Sequence, residues 1–325
     1  MSADVPLDQP LPLIPTRTHA HVAVLKGGWS AEREVSLRSG AAVAAALNNN
    51  GYQVSEIDVT RHIARDLADL KPDACFNALH GEFGEDGAIQ GIFECQQIPF
   101  THSGVLASAL AMHKERAKDI LRRVGVPVAD AVLVQRSAAA KRHAHEPPYV
   151  LKPVSEGSSV GVLVIHEGDP LPAEQIMSGG GPDDVLMAEQ FIDGRELTCA
   201  VIGDFVTDVT EIIPGDGLEF YDYKAKYAPG GSKHVYPANI LPDVYQSIRK
   251  YTLAAHRALG CRGVTRTDFR YDDPAAGGSG NLVCLEVNTQ PGMTETSLVP
   301  ELAGHAGWSF DELVQWMIED ASCRR

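Results

Sequence analysis

Apolar residues in this chain come in short bursts closed by turn residues, and their spacing predicts most of the elements. His21 to Lys26 (HVAVLK) is too short for a helix and stops at Gly27-Gly28, so it reads as a buried strand and a turn. An alanine-rich helix follows and ends at Asn48-Asn49-Asn50-Gly51, where glycine suits a left-handed cap. Tyr52 to Asp58 and Ala74 to Leu79 read as two more strands, with a helix over Ile63 to Leu70 between them. Strands alternating with helices predict a parallel sheet, here expected to run to about residue 104. Such sheets bind ligands at the C-terminal ends of their strands, where Gly27-Gly28 and His80-Gly81 fall.

Two helical segments fill Val105 to Arg123, and strands are expected over Ala131 to Val134 and Tyr149 to Val154. The rest of this middle section reads mostly as strand, with glycine-rich breaks at 156–161 and 178–182. Leu197 to Ile202 and Phe205 to Ile213 resemble a hairpin turning at Gly203-Asp204. The stretch 214–239 has neither helical nor strand period and is long enough to be a lid. Val244, Ile248, Tyr251, Ala255 and Leu259 mark an amphipathic helix from Asp243. Strands at 264–271 and 282–288 are joined by a glycine-rich turn at 277–280, and a last helix starts near Asp311. The pattern divides the chain into a flexible, proline-containing arm (1–20), an α/β domain (21–104), a small central lobe (105–192) and a C-terminal lobe (193–325). The fold class is α/β with α+β lobes.

Charge narrows the partners. A net charge of −15 repels a phosphate backbone, so nucleic acid is excluded and any anion must be gripped by a local cluster of donors. No apolar run reaches the roughly 18 residues of a membrane span, and the N-terminus lacks the basic start of a signal peptide. Six cysteines without a C-x-x-C pair read as reduced core residues of a cytoplasmic protein.

Four stretches carry candidate chemistry. In Lys152-Pro-Val-Ser-Glu-Gly-Ser158-Ser159-Val-Gly161 a lysine ends a strand and a small-residue loop follows. Backbone amides of such a loop cradle phosphate, although a plain hairpin has the same composition. Glu189-Gln-Phe191-Ile192-Asp-Gly-Arg-Glu196 sets an apolar pair between two carboxylates, which suits a base and a ribose or, equally, an ordinary hairpin. Arg266 and Asp268 share one face of their strand, as do Glu286 and Asn288 of the next. If the two strands pair, Asp268, Glu286 and Asn288 converge with nothing basic between them, and their oxygens suit Mg²⁺. A salt bridge between Arg266 and Asp268, and a solvated strand end at Glu286, are the plainer readings.

Six motifs together resemble the D-alanine–D-alanine ligase family of ATP-grasp enzymes. They are Gly27 to Gly40 (GGWSAEREVSLRSG), His80 to Gly91 (HGEFGEDGAIQG), Lys152 to Gly161, Phe220 to Tyr227 (FYDYKAKY), Arg266-Thr-Asp268 and Glu286 to Thr294 (EVNTQPGMT), in the family's order from about residue 21 onward. The resemblance implies a bacterial cytoplasmic homodimer that joins two D-alanines through a D-alanyl phosphate for peptidoglycan synthesis. ATP is the co-substrate, with two Mg²⁺, replaceable by Mn²⁺, on Asp268, Glu286 and Asn288. It implies Lys114 and Lys152, with Ser158 and Ser159, on the phosphates, Glu189 with Phe191 and Ile192 on adenine, and Glu196 on the ribose. Glu32 and His80 would receive the first substrate's ammonium, Ser297 and Lys226 the second substrate's carboxylate. Arg266 and the Gly292 N–H would form the oxyanion hole, and Tyr227 would reach back to Ser158 and Glu32 to lock the 214–239 lid. Relatives using D-lactate or D-serine, or a silent nucleotide-binding regulator, are the alternatives. Departures from the family pattern are His102, Trp29 and a short basic segment at 136–148. His143-Ala-His145 reads as an exposed basic loop rather than a metal site.

Overall fold

The structure is a computed structural model and describes residues 7, 9–157, 161–215 and 231–325. Three sheets carry the chain. The first is parallel, with order β2-β1-β3, from β1 (His21–Lys26), β2 (Gln53–Asp58) and β3 (Ala74–Asn77). Helices α1 (Arg33–Asn49) and α2 (Ile63–Leu70) make the crossovers. Beyond β3 the parallel sheet is extended only by an isolated bridge from Cys75 to Phe100, next to Pro99, which cannot donate a ladder hydrogen bond. Helices α3 (Ala88–Gln96), α4 (Val105–Met112) and α5 (Lys114–Arg123) lead into the second sheet.

That sheet is antiparallel in the order β4-β7-β5-β6, from β4 (Ala131–Gln135), β5 (Tyr149–Pro153), β6 (Leu163–Ile165) and β7 (Val185–Gln190). The section expected to be mostly strand also holds two short helices, α6 (Arg136–Ala139) and α7 (Ala173–Ser178), which cover one face. They bury Ala139 and Ile176 in a core of their own with Tyr149, Leu151, Ile165, Leu186 and Ala188.

The third sheet runs β11-β10-β8-β12-β13, with β9 pairing off β8. Its strands are β8 (Arg195–Ile202), β9 (Phe205–Val206), β10 (Thr210–Pro214), β11 (Ser232–Val235), β12 (Val264–Tyr271) and β13 (Leu282–Asn288). The hairpin expected at Gly203-Asp204 forms, but its second arm breaks at 207–209, and both pieces pair with β8. Part of 214–239, expected to lack strand, is β11, whose backbone pairs with β10 although SKHV shows no apolar alternation. Helix α8 (Pro242–Leu259) packs on this sheet, and α9 (Leu298–Ala306) and α10 (Phe310–Glu319) close the chain.

Val22 and Val24 of the first sheet, Ala200, Ile202 and Val264 of the third, and Val299, Leu302, Val314 and Trp316 of the last two helices share one core. Each fully buried side chain of this size contributes about 1.5–3 kcal/mol, so first and third sheets form one cooperative body. The described residues of the arm, expected to be flexible, are docked: Leu11 and Ile14 pack on this core and Leu7 on the neighbouring one. The Thr18 N–H donates to Glu319 at 2.8 Å, Gln315 Nε2 to the Pro15 carbonyl at 3.0 Å, and Arg249 Nη2 to the Leu7 carbonyl at 2.9 Å. The cysteines are all free; Cys75, Cys199, Cys261 and Cys284 are buried as expected, whereas Cys95 is exposed and Cys323 half-buried.

Candidate active site

Two cavities meet between the sheets and share Lys114, Glu156 and Glu286 in their walls. One lies against the second sheet and holds Lys152, Glu189, Phe191, Ile192, Glu196, Asp268 and Arg270. The other faces the first sheet and holds Glu32, His80, Glu85, Arg266, Asn288, Gly292 and Ser297. Of the residues singled out in the sequence, Ser158, Ser159, Lys226 and Tyr227 lie outside the described residues. The structure brings the other residues given a role in binding or catalysis to these two cavities.

In the first cavity the antiparallel register of β5 and β7 pairs Lys152 with Met187 and Val150 with Glu189, which sets Lys152 close to Glu189 on the same face. Lys152 Nζ donates to Glu189 Oε2 at 2.5 Å, and Lys118 Nζ donates to Oε1. Lys118 was not singled out in the sequence, yet it lies one helical turn after Lys114 on α5, so i,i+4 spacing was the available signal. All three charged groups are buried. Burial pushes the Glu189 carboxyl upward, but the two ammonium groups outweigh it and hold the pKa below the usual carboxylate range. Burial pulls Lys118 below the ordinary lysine value, against the attraction of Glu189. Two cations on one anion leave this end with a positive surplus.

The signs are reversed where β12 meets β13. Arg266 faces Asn288 across the ladder and Asp268 faces Glu286, so all four share one face of the sheet. The expected patch without a basic group is corrected here. Arg266 forks onto Asp268, Nε to Oδ1 at 2.8 Å and Nη2 to Oδ2 at 2.7 Å, and Thr198 adds a bond of 2.7 Å to Oδ1. Glu286 and the Asn288 amide remain beside this pair, and Asn288 Oδ1 accepts the Gln290 N–H at 2.8 Å. The oxygens that could hold a divalent cation are those of Asp268, Glu286 and Asn288, two carboxylates and an amide carbonyl with a second lone pair.

Around the first sheet, Gly27 adopts φ +76°, and a Cβ there would fall 2.2 Å from Asp58 Oδ1, so only glycine lets the chain turn here toward Glu32. Glu32 begins α1, is buried, and its Oε2 would lie 2.8 Å and 2.9 Å from a Cβ on Gly81 and Gly157 respectively. His80 is held between Ser39 (Nε2, 3.2 Å) and Glu85 (Nδ1, 3.3 Å). Burial resists its charge, but the Glu85 hydrogen bond and the Glu85 and Glu32 charges outweigh this and raise its pKa. Ser39 Oγ also accepts the Met293 N–H at 3.2 Å, which ties His80 to the loop carrying Gly292. Ser297 Oγ accepts the Thr294 N–H at 2.9 Å in the same loop, and Lys114 Nζ donates to the Glu156 carbonyl. His102, one of the departures, lies outside both cavities. It is buried at φ +68° with neither ring nitrogen hydrogen-bonded, and burial, with Arg325 and His80, pulls its pKa to about 3. Trp29, another, packs on Phe83 with ring centroids 4.5 Å apart. His143 and His145 pack against Tyr149, and no cluster of His, Cys, Asp and Glu apt for a metal occurs among the described residues.

This arrangement has counterparts. Family models described as D-ala D-ala ligase N-terminus and C-terminus match residues 63–103 and 120–319. The chain is 59% identical over 306 residues to the D-alanine–D-alanine ligase of Parvibaculum lavamentivorans, covering 94% of this chain and 98% of that protein. It is 60% identical, with the same coverage, to that of Afipia carboxidovorans. Among solved structures, D-alanine–D-alanine ligase from Bacillus anthracis complexed with ATP superposes with a TM-score of 0.76 at 27% identity, covering 93% of this chain and 97% of that one. The VanG D-Ala:D-Ser ligase of Enterococcus faecalis gives 0.74 at 32% identity, covering 93% and 99%. The chain belongs to the D-alanine–D-alanine ligase family.

Proposed function

We propose that this enzyme joins two D-alanines to D-alanyl-D-alanine at the expense of ATP, in the cytoplasm, for the bacterial cell wall. The observation that carries the reading is that two cavities, one lined by Lys152, Glu189, Phe191, Ile192 and Glu196 and the other by Glu32, His80, Arg266, Gly292 and Ser297, meet at Lys114, Glu156 and Glu286. A nucleotide suits the first and an amino acid the second.

A carboxylate is a poor acyl donor because its leaving group would be oxide. Transfer of the γ-phosphoryl of ATP to one carboxylate oxygen of the first D-alanine makes an acyl phosphate, releasing ADP. The amine of the second D-alanine attacks that carbonyl, loses a proton, and expels inorganic phosphate. Such chemistry depends on positioning and on neutralised charge. Lys152, steered by Glu189, and Lys114 hold the phosphates. The cavity wall of Phe191 and Ile192 seats the base, and Glu196 the ribose. Glu32 fixes the first substrate at its ammonium, helped by His80 beside it. Arg266 and the Gly292 N–H face the oxygen that becomes negative as the tetrahedral intermediate forms. Ser297, at the start of α9, receives the second carboxylate, where the helix N-terminus favours an anion. Asp268, Glu286 and Asn288 fit Mg²⁺ or Mn²⁺ by their oxygen chemistry. Such an ion, when bound, neutralises phosphate charge. Ser158, Ser159, Lys226 and Tyr227 keep the roles that the family resemblance gives them, as does a homodimeric state.

Phosphate release from ATP in the presence of Mg²⁺ tests the reading. It should depend on D-alanine, and adding D-lactate, D-serine or L-alanine should yield no mixed product. Absence of D-alanine-dependent release would refute the ligase reading, and D-alanyl-D-serine formation would revise the second substrate.

A further inference from the structure

Arg270 lies deep in the nucleotide-facing cavity, and none of the roles above uses it. Its three partners, Phe191, Ile192 and Glu196, lie in one short stretch of the chain. On β12 it is paired in register with Glu196 of β8, and its Nη1 lies 3.6 Å from Glu196 Oε2. Its Nε donates to the Ile192 carbonyl at 3.2 Å, and its guanidinium carbon stands 5.6 Å from the centre of the Phe191 ring. Both members of the Arg270–Glu196 pair are about nine-tenths buried. A planar fork can serve a carboxylate, a carbonyl and an aromatic face together, which a lysine cannot.

We infer that Arg270 is a positioning residue that sets the enzyme's preference for a nucleotide with ribose hydroxyls, by orienting Glu196 and fixing the Phe191-Ile192 segment beside it. This rests on the reading of Glu196 as the ribose residue. A buried carboxylate without a fixed partner samples several rotamers and rewards a hydroxyl poorly. One held by Arg270 presents its remaining lone pairs in a single direction. The guanidinium also offsets the Glu196 charge, so that the ribose end of the cavity does not repel the triphosphate that follows it.

The test compares KM for ATP and for 2′,3′-dideoxyATP in the wild-type enzyme, E196Q and R270M, with D-alanine saturating. A hydroxyl bonded to a carboxylate makes the wild-type ratio on the order of tenfold. R270M should lower that ratio toward the E196Q value while leaving KM for D-alanine in place. A wild-type ratio near one would refute the Glu196 reading itself. A wild-type ratio near tenfold that R270M retains would overturn the role of Arg270 alone. Should R270M fail to fold, F191L removes the ring under the guanidinium and should lower the ratio in part; an unchanged ratio in F191L would count against the proposal.

Discussion

The two ends of the site are built from the same materials with opposite surpluses. At Glu189 one carboxylate sits between two buried lysines. At Asp268 one arginine serves a carboxylate that has Glu286 as its direct partner across the ladder. Counted over these side chains alone, the first cluster has one cation more than it has anions and the second one carboxylate more than it has cations. Buried charges left unbalanced in a cavity are candidates for function.

Removing the shared anion is the severest way to break the contrast. In E189Q, Lys118 and Lys152 confront each other in a buried place, and unfolding free energy should fall by about 3–5 kcal/mol. A denaturation midpoint equal to that of wild type would show that the lysines are not held by Glu189. Next in size, E286Q removes the negative surplus without touching the core. It should fold normally while kcat drops about 10²–10³-fold, and wild-type turnover would contradict the cation-binding assignment. The smallest effect sharpens the comparison by pH. The pKa of His80 stands above its ordinary value of 6.5 in the fold, so its stabilisation is complete below that pH and is lost as pH rises through the folded value. E85Q removes the largest raising influence, so the stability gap from wild type should be widest at acidic pH and narrow toward alkaline pH. A gap independent of pH in urea titrations would remove the charge of His80 from the account.

How much of this was legible in the sequence depends on what held each part in place. The bounds of β12 and β13 follow from apolar runs with glycines between them, and the face shared by Arg266 and Asp268 follows from a period of two. Their pairing with one another was foreseen as a condition, and the salt bridge of Arg266 with Asp268, the plainer reading, forms alongside it. Lys118 escaped notice because a lysine on an amphipathic helix looks solvated until its neighbour in space is known. Helix α9 was missed because Pro300 and Gly304 interrupt it, although Pro300 falls in its first turn, where no donor is lost. The arm has no period at all, and its described residues are secured by scattered apolar contacts of Leu7, Leu11 and Ile14 and by individual hydrogen bonds to distant residues, which no pattern announces.

That first and third sheets share one interior, with the N-terminal strap laid across both, has a mechanical outcome. The four-stranded sheet has an interior of its own, and it meets the remainder through a small apolar joint of Ala129, Ile192 and Val283, the Lys118–Glu189 pair and the hydrogen bond from Arg270 to the Ile192 carbonyl. A body fused on one side and jointed on the other opens along a single seam. The cavity holding Lys152 and Asp268 lies at this boundary, so a shift of the four-stranded sheet would alter that cavity while the core shared by the first and third sheets kept its shape.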